Sequence, residues 1–187
     1  MITTISPPET LLDAQDATLR QQLRLEPDED DQNSLIDGLC LAAVSFAEGY
    51  TKQRFLTQTV RLTRDCFGFG GIPLPIAPVQ SVDQVVYTDG AGADQVLASS
   101  GYRLIASGVP VELHPPYGGA WQVPRPDKGA VRIDLVVGFG DAASDVPADI
   151  MQAVRLLVGW WFIAGRDAGE DVPGQIKAML NPWRLWL

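Results

Sequence analysis

The feature that most restricts the fold of this chain is a helix-forming stretch that is apolar on nearly all of its surface. Between Ile150 and Ala164 only Gln152 and Arg155 are polar. Pro147, a residue common in the first turn of helices, stands just before it. A helix that is apolar all round must be covered on almost all sides. We therefore predict that this helix forms the centre of the core and that a subunit interface covers the remainder.

The two sides of this stretch carry different large side chains. One side has Ile150, Val154, Leu157, Val158 and Trp161, and the other has Met151, Leu156, Trp160, Phe162 and Ile163. The residues that we predict to pack in the core or between subunits are Ile150, Val154, Leu157, Trp160 and Trp161.

The composition is typical of one ordinary soluble globular domain. Of the 187 residues, 46% are hydrophobic and 20% are charged, which excludes a chain that is disordered throughout. The longest uncharged apolar run, from Leu156 to Ala164, is less than half of the roughly 20 residues that a helical membrane span needs. The beginning of the chain lacks the basic and apolar regions of a secretory signal. We therefore expect a protein that is made and kept in the cytoplasm and has no membrane partner.

The charge argues against one class of partner. The formal net charge is -9, and a basic surface is what binds nucleic acid without sequence preference. We therefore expect no such binding.

The sequence offers no convincing site for chemistry. Cys40 and Cys66 lack metal-ligand spacing, and His114 is the only histidine, so neither a zinc site nor a disulfide framework is expected. No Gly-x-Ser-x-Gly motif accompanies His114. The pair Gly138-x-Gly140 lacks the third glycine and the Lys-Ser/Thr ending of phosphate-binding loops. We predict no catalytic residue, no metal and no cofactor.

Helical periodicity predicts three further helices, over residues 11–23, 33–50 and 173–180. Thr10 and Asp13 are spaced like a capping box, which places the start of the first of them. The second has one stripe of Leu35, Leu39, Ala42, Phe46 and Tyr50, with Ile36, Cys40, Ala43 and Ala47 beside it.

The middle of the chain has the period of two that is typical of strands. Strands are predicted around Val60 and Leu62, over residues 82–87 and over Val131–Val137. Short strands joined by turns favour an antiparallel meander of about four to six strands. The predicted class is therefore α+β: a bundle of two N-terminal and two C-terminal helices with an inserted small antiparallel β meander. We expect N-terminal helices in residues 1–55, the β subdomain in 56–140 and the C-terminal helices with the tail in 141–187, all in one compact domain.

The last five residues form an unusual tail. They are Trp183, Arg184, Leu185, Trp186 and Leu187, and they follow the helix-ending Pro182. So much aromatic and aliphatic area is costly to leave in water. The tail therefore either docks into a groove on a partner, where Trp and Arg dominate interface energetics, or folds back onto its own core.

A set of motifs occurs in a fixed order along the chain. They are Phe67-Gly68-Phe69-Gly70-Gly71-Ile72-Pro73-Leu74-Pro75, the run from Pro78 to Tyr87, Val137-Gly138-Phe139-Gly140, Val146-Pro147-Ala148-Asp149-Ile150, and the run from Leu156 to Trp161 followed by Arg166. In this order the set resembles the head-tail connector, or adaptor, proteins of long-tailed phages, prophages and gene transfer agents. That family usually ends in Leu-Leu-x-Pro-Tyr-Arg, where this chain has Met179-Leu180-Asn181-Pro182-Trp183-Arg184. The resemblance covers nearly the whole chain.

The resemblance implies a structural virion protein that is not an enzyme. Its copies would form a ring of twelve between the portal protein and the stopper or terminator protein of the tail. The ring would extend the DNA channel, through which DNA passes without sequence-specific binding. The tail Trp183 to Leu187 would bind the portal, and the helix at 150–164 would pack in or near subunit contacts. The protein would lie at the head-tail interface of a virion or phage-like particle, and in the host cytoplasm during assembly.

Two other interpretations stay open on the sequence alone. One is a cytoplasmic assembly factor or small binding module with the same α+β plan, which would be a stable monomer indifferent to the portal. The other is an enzyme, which would require that substitution of His114 abolish turnover.

Overall fold

The computed structural model describes residues 1–26, 30–164 and 171–186, and the chain divides into two units. Residues 1–8, 57–139 and 185–187 form the sheet unit, and residues 9–56 and 140–184 form the helical unit. The mixed α+β class predicted from the sequence is confirmed.

The described residues of the sheet unit form two antiparallel sheets. Across the larger sheet the strands are β1 (Ile2–Ser6), β2 (Gln58–Arg64), β8 (Val131–Val137), β4 (Val79–Thr88) and β5 (Asp94–Leu97). Across the smaller sheet they are β3 (Ile72–Pro73), β7 (Glu112–His114) and β6 (Arg103–Ile105). All pairs are antiparallel as predicted. The larger sheet departs from a simple meander, because β8 lies between β2 and β4.

The core of the sheet unit follows from the alternation along β8. The fully buried side chains of this strand are Val131, Ile133, Leu135 and Val137. In the cross-strand register, Ile133 stands opposite Leu62 of β2 on one side and Val85 of β4 on the other. Cross-strand apolar pairs of this kind stabilise a sheet, and they explain why a period of two was sufficient to predict these strands.

The opposite face of the larger sheet carries a polar row. Arg61 of β2 donates two hydrogen bonds to the Asp134 carboxylate, at 2.7 Å each, and Gln84 of β4 donates a third at 3.0 Å. Burial by itself raises the pKa of Asp134, but the bonds from Arg61 and Gln84 outweigh it, so that the pKa lies below its usual value. Asp134 is therefore a buried carboxylate held in its ionised form.

Strand β1 has no counterpart among the predicted strands. It is an edge strand, paired only with β2, and most of its side chains are exposed. An exposed edge needs no alternation of apolar and polar residues, so the sequence pattern that revealed β2, β4 and β8 is missing here.

The helical unit contains α1 (Ala17–Leu23), α2 (Asn33–Thr51), α3 (Ala148–Ala164) and α4 (Gly174–Leu180). Helix α3 packs against each of the other three, in agreement with its apolar surface. The starts and ends of α2, α3 and α4 lie within three residues of the predicted ones.

The predicted start of the first helix at Thr10 and Asp13 is wrong. Helix α1 begins after Asp16, whose carboxylate accepts the Leu19 N–H at 2.7 Å as an N-cap. The residues before it are held in a non-helical path by a long-range bond, because the Ala14 N–H donates to the Asp37 carboxylate at 2.8 Å. A contact between residues so far apart in the sequence cannot be predicted from the spacing of neighbouring residues.

The predicted stripe on the second helix is also wrong in part. The buried side chains of α2 are Ile36, Cys40, Ala43, Ala47 and Thr51, whereas Leu35 is 53% exposed and Ala42 is exposed as well. The apolar surface of α2 is wider than the part that contacts neighbouring helices. The buried side is the one with Cys40, Ala43 and Ala47, whose small side chains let the neighbouring helix backbones approach closely. Burial, reinforced by the nearby Asp37 carboxylate, raises the pKa of the Cys40 thiol to about 12, which keeps this thiol neutral and inert.

Candidate functional site

Helix α3 presents one side to the interior of the helical unit. Ile150, Val154 and Leu157 are fully buried there. Trp161, one turn further on, is half-buried, and its ring meets Phe46 of α2 edge to face with 6.1 Å between the ring centroids. This side of α3 is therefore directed towards α2.

The other side of α3 lines an apolar groove of about 700 Å³. Its lining includes Leu156, Trp160 and Ile163 of α3, together with Pro173 and Ile176 at the start of α4. Trp160 is half-buried, and Ile163 is 75% exposed. The five residues predicted to pack in the core or between subunits thus fall on two sides of one helix, with Trp160 in the groove.

Helix α1 contributes Gln22 to the lining of this groove. The space beside Gly159 of α3 is occupied by Gln22 of α1, which stands 3.0 Å from where a Cβ would lie. Gln22 donates to the Arg155 carbonyl at 3.3 Å. Arg155 in turn donates to the Asp16 carboxylate at 2.9 Å, which ties the N-cap of α1 to α3. The groove wall is therefore fixed by polar contacts.

The carboxylate of Asp16 is ionised by this arrangement. Burial raises its pKa, but hydrogen bonds from the Arg155 guanidinium and the Leu19 N–H, together with the charge of Arg155, lower the pKa below its usual value.

The chain beyond α4 forms a single helical turn, Asn181–Trp183, that is bonded to the helical unit. The indole N–H of Trp183 donates to the Asp149 carboxylate at 2.7 Å, and its carbonyl accepts a bond from Gln53. Tyr50 of α2 donates its hydroxyl to the Asn181 side chain at 2.6 Å. Three residues of the helical unit therefore hold this turn.

The five residues of the predicted tail have different environments. The Arg184 guanidinium lies over the Tyr50 ring, 5.1 Å from its centroid, a cation–π contact. Leu185 is buried, whereas Trp186 is 67% exposed. Leu187 lies outside the described residues. Trp183, Arg184 and Leu185 are therefore occupied within the chain, and Trp186 presents most of its surface to the outside.

His114 and the turn at Gly140 both have structural roles. His114, at the end of β7, is paired with Glu112 at 2.6 Å. The space beside Gly140 is filled by the side chain of Asp145, whose carboxylate accepts the Ala142 N–H at 3.0 Å. A carboxylate in that turn occupies the place that a phosphate would need.

Two classes of site receive no support from the described residues. Within those ranges, no three His, Cys, Asp or Glu side chains converge as metal ligands would. Nor is any helix of the described part long and apolar enough to cross a membrane.

One feature that sequence reasoning missed is the outer face of α2. Leu35 and Leu41 are 53% and 65% exposed there. Gly38 and Gly49, on the same face, have open space where a side chain would extend. The sequence signal for this face was the presence of two glycines inside one helix. Each of them destabilises a helix by about 1 kcal/mol relative to Ala.

Over its full length the chain is similar to chains in solved structures. No protein-family model matches the sequence, and no curated protein matches it with significance. Among solved structures, a chain from the virion of a native gene transfer agent particle is 27% identical, with a TM-score of 0.82. A chain from the neck of an empty gene transfer agent particle, computed with C6 symmetry, is 26% identical, with a TM-score of 0.82. A chain from the neck of a native particle, computed with C12 symmetry, is 25% identical, with a TM-score of 0.72.

The three alignments extend over the whole chain. Each alignment covers 100% of this chain and 96% of the other. Over its whole length, the protein therefore shares its fold with chains from the neck of gene transfer agent particles.

Proposed function

We propose that this chain is a structural component of the neck of a gene transfer agent or related phage-like particle. The observation that carries the proposal is the full-length likeness, at 25–27% identity, to chains of such particles. The protein is located in the particle and is not an enzyme. The pairing of His114 with Glu112 and the filled turn at Gly140 agree with a structural role.

Its copies form a ring around the axis of the neck. The neck structures that resemble it are computed with C6 and C12 symmetry, and a ring of twelve copies satisfies both. Closed rotational symmetry is the usual arrangement of copies of one chain.

The ring acts as an adaptor between the portal protein and the stopper or terminator protein of the tail. Support for a portal contact comes from the end of the chain. Trp186, which is mostly exposed, directly follows a segment that the helical unit holds at Trp183 and Arg184. A large, exposed aromatic side chain is well suited to anchor an interface. In this proposal the portal-binding segment consists of Trp183, Arg184, Leu185, Trp186 and Leu187.

The acidic character of the protein suits a DNA channel. A wall with a net negative charge does not bind phosphates, so DNA slides through the ring without sequence-specific contacts.

The test is a deletion of the gene in cells that produce the particles. Particles from the parent and from the deletion strain are imaged by electron microscopy, and their proteins are identified by mass spectrometry. We expect the protein in parent particles, and separate heads and tails in the deletion strain. Expression of the full chain from a plasmid should restore joined particles. Normal particles without the protein would contradict the proposal.

The portal contact has its own experiment. Immobilised portal protein should retain the parent chain, and the retained complex should show a ring in projection. A chain that remains a monomer and ignores the portal would favour the alternative of a small binding module.

A further inference from the structure

Within residues 1–26, 30–164 and 171–186, the helical unit carries two uncharged faces that the described part of the chain leaves exposed. The first is the α3–α4 groove, whose lining includes Leu156, Trp160, Ile163, Pro173 and Ile176. The second is the outer face of α2, formed by Leu35, Gly38, Leu41, Ala42, Ser45 and Gly49, all of which are exposed.

We propose that the α2 outer face of one copy packs into the α3–α4 groove of the next copy around the ring. The occupant of the groove is therefore a second copy of this chain. The inference rests on the proposed function in one respect, namely that copies are arranged in a ring.

The α2 outer face has the spacing of a helix surface that packs against another helix. Leu35, Gly38, Ala42, Ser45 and Gly49 follow one another at intervals of three and four residues, which is the spacing of a helix seam that contacts another helix. Leu41 projects beside this seam and is 65% exposed. It supplies the large side chain that a groove can receive.

This seam contains two glycines, Gly38 and Gly49. An added Cβ at Gly38 or Gly49 would meet nothing within 4 Å, so packing inside the chain does not require glycine at either position. Glycine inside a helix is destabilising relative to alanine. A neighbouring backbone that approaches closely explains both residues.

The two faces lie on different sides of the helical unit. The buried residues of α2, such as Cys40 and Ala47, are on the side of the helix opposite to Gly38 and Ser45, because residues follow one another by 100° around a helix. The side of α3 that bears Trp161 contacts α2, and the groove lies on the other side of α3. The two faces therefore point away from each other.

A closed ring needs this arrangement. Copies related by rotation about one axis meet through two different surfaces, one on each side of the subunit. The neck chains that resemble this one come from structures computed with rotational symmetry.

The absence of charge on both faces also favours their contact. Among the described residues that line the groove none is charged, and the six residues of the α2 outer face are uncharged as well. Each copy carries a net charge of -9, so most surfaces of two copies repel each other. Two neutral faces avoid this cost.

The experiment uses cysteine cross-linking in a Cys66→Ser background, because Cys66 is exposed and Cys40 is buried. Leu41→Cys marks the α2 outer face, and Ile163→Cys marks the groove. The double variant and both single variants are produced in particle-forming cells. Purified particles, and the purified chain at its highest soluble concentration, are then treated with a short bis-maleimide.

The expected result is a ladder of covalent oligomers from the double variant and only monomers from each single variant. A mixture of the two purified single variants should give a cross-linked heterodimer and no longer oligomers, because each chain then carries only one reactive cysteine. Dimers from Leu41→Cys alone would show a two-fold contact and overturn the proposal. The absence of a ladder from the double variant in both samples would also overturn it.

A second variant tests the close approach of the two helices, because a cross-link by itself reports only that two residues are near each other. Gly38→Leu fills open space, so we expect an unchanged or higher melting temperature of the monomer. It should nevertheless abolish the ladder when added to the double variant. An undiminished ladder would contradict the proposed seam. Particles that contain the protein but give no ladder would leave the proposed function intact and refute only this interface.

Discussion

The buried carboxylate of Asp134 is a residue whose contribution to stability depends on pH. We expect Asp134→Asn to lower the free energy of unfolding by about 2 kcal/mol at neutral pH, because charged hydrogen bonds from Arg61 are weakened. The pKa of Asp134 is lowered in the folded state, so its stabilising effect is full above the unfolded pKa and is lost as the pH falls through the folded pKa. Urea unfolding of the parent and the variant at neutral and acidic pH measures the difference.

Asp94 offers a matched control on the same sheet. It forms an ion pair with Arg132 at 2.6 Å, but its side chain is mostly exposed. Asp94→Asn should therefore lower the free energy of unfolding much less than Asp134→Asn does. Equal effects of the two substitutions, or an Asp134→Asn effect that persists at low pH, would refute the role assigned to Asp134.

At the scale of the element, α3 is the helix on which the helical unit depends. Leu157 is fully buried, so we expect Leu157→Ala to lower the free energy of unfolding by about 2 to 5 kcal/mol, the usual effect of emptying a core position. Trp161→Ala should fall in the same range. Leu41→Ala, on an exposed face, is the control and should change it by less than about 0.5 kcal/mol. A melting temperature of Trp161→Ala within a degree of the parent would show that this ring does not support the core.

The C-terminal segment should divide into a structural part and a binding part. Trp183→Ala removes the bond to Asp149, and we expect it to lower the free energy of unfolding by about 1 to 3 kcal/mol. Because most of its surface is exposed, Trp186→Ala should lower the free energy of unfolding less than Trp183→Ala does, and it should weaken portal binding by about 2 kcal/mol, roughly 30-fold. Calorimetry and a portal titration measure the two effects.

The controls for this segment separate its two roles. Trp183→Phe keeps most of the ring and removes the N–H donor, so it isolates the hydrogen bond. If Trp186→Ala binds the portal as tightly as the parent does, the exposed indole is not the anchor.

How far the sequence predicts these elements depends on the range of the interactions that fix them. Helix α3 and strand β8 were predictable because each has a local pattern of its own, an almost continuous apolar stretch in α3 and a period of two in β8. The start of α1 was not, since it depends on the bond from Ala14 to Asp37. In the candidate site, the tail was recognisable from its composition, but the partner of Trp183, Asp149, lies 34 residues away in the sequence. No local pattern encodes such a pairing.

At the scale of the whole molecule, the question is when the ring closes. The proposed contact between copies consists of a seam of small residues with two leucines, so each single contact buries little apolar area and is weak. Each copy also carries a net charge of -9, which opposes association of free copies. A portal that binds several copies side by side raises their effective concentration and can offset both effects.

We therefore expect the purified chain to sediment as a monomer or a loose oligomer at micromolar concentration and to form closed rings only with the portal present. Raising the salt concentration screens the repulsion between copies, so it should shift the free chain towards oligomers, without closing the ring. Sedimentation velocity, with and without portal, measures both effects, and Gly38→Leu serves as a chain whose contact face is blocked. Stable closed rings of the free chain at micromolar concentration would refute this order of assembly, because they would mean that the contact between copies needs no template.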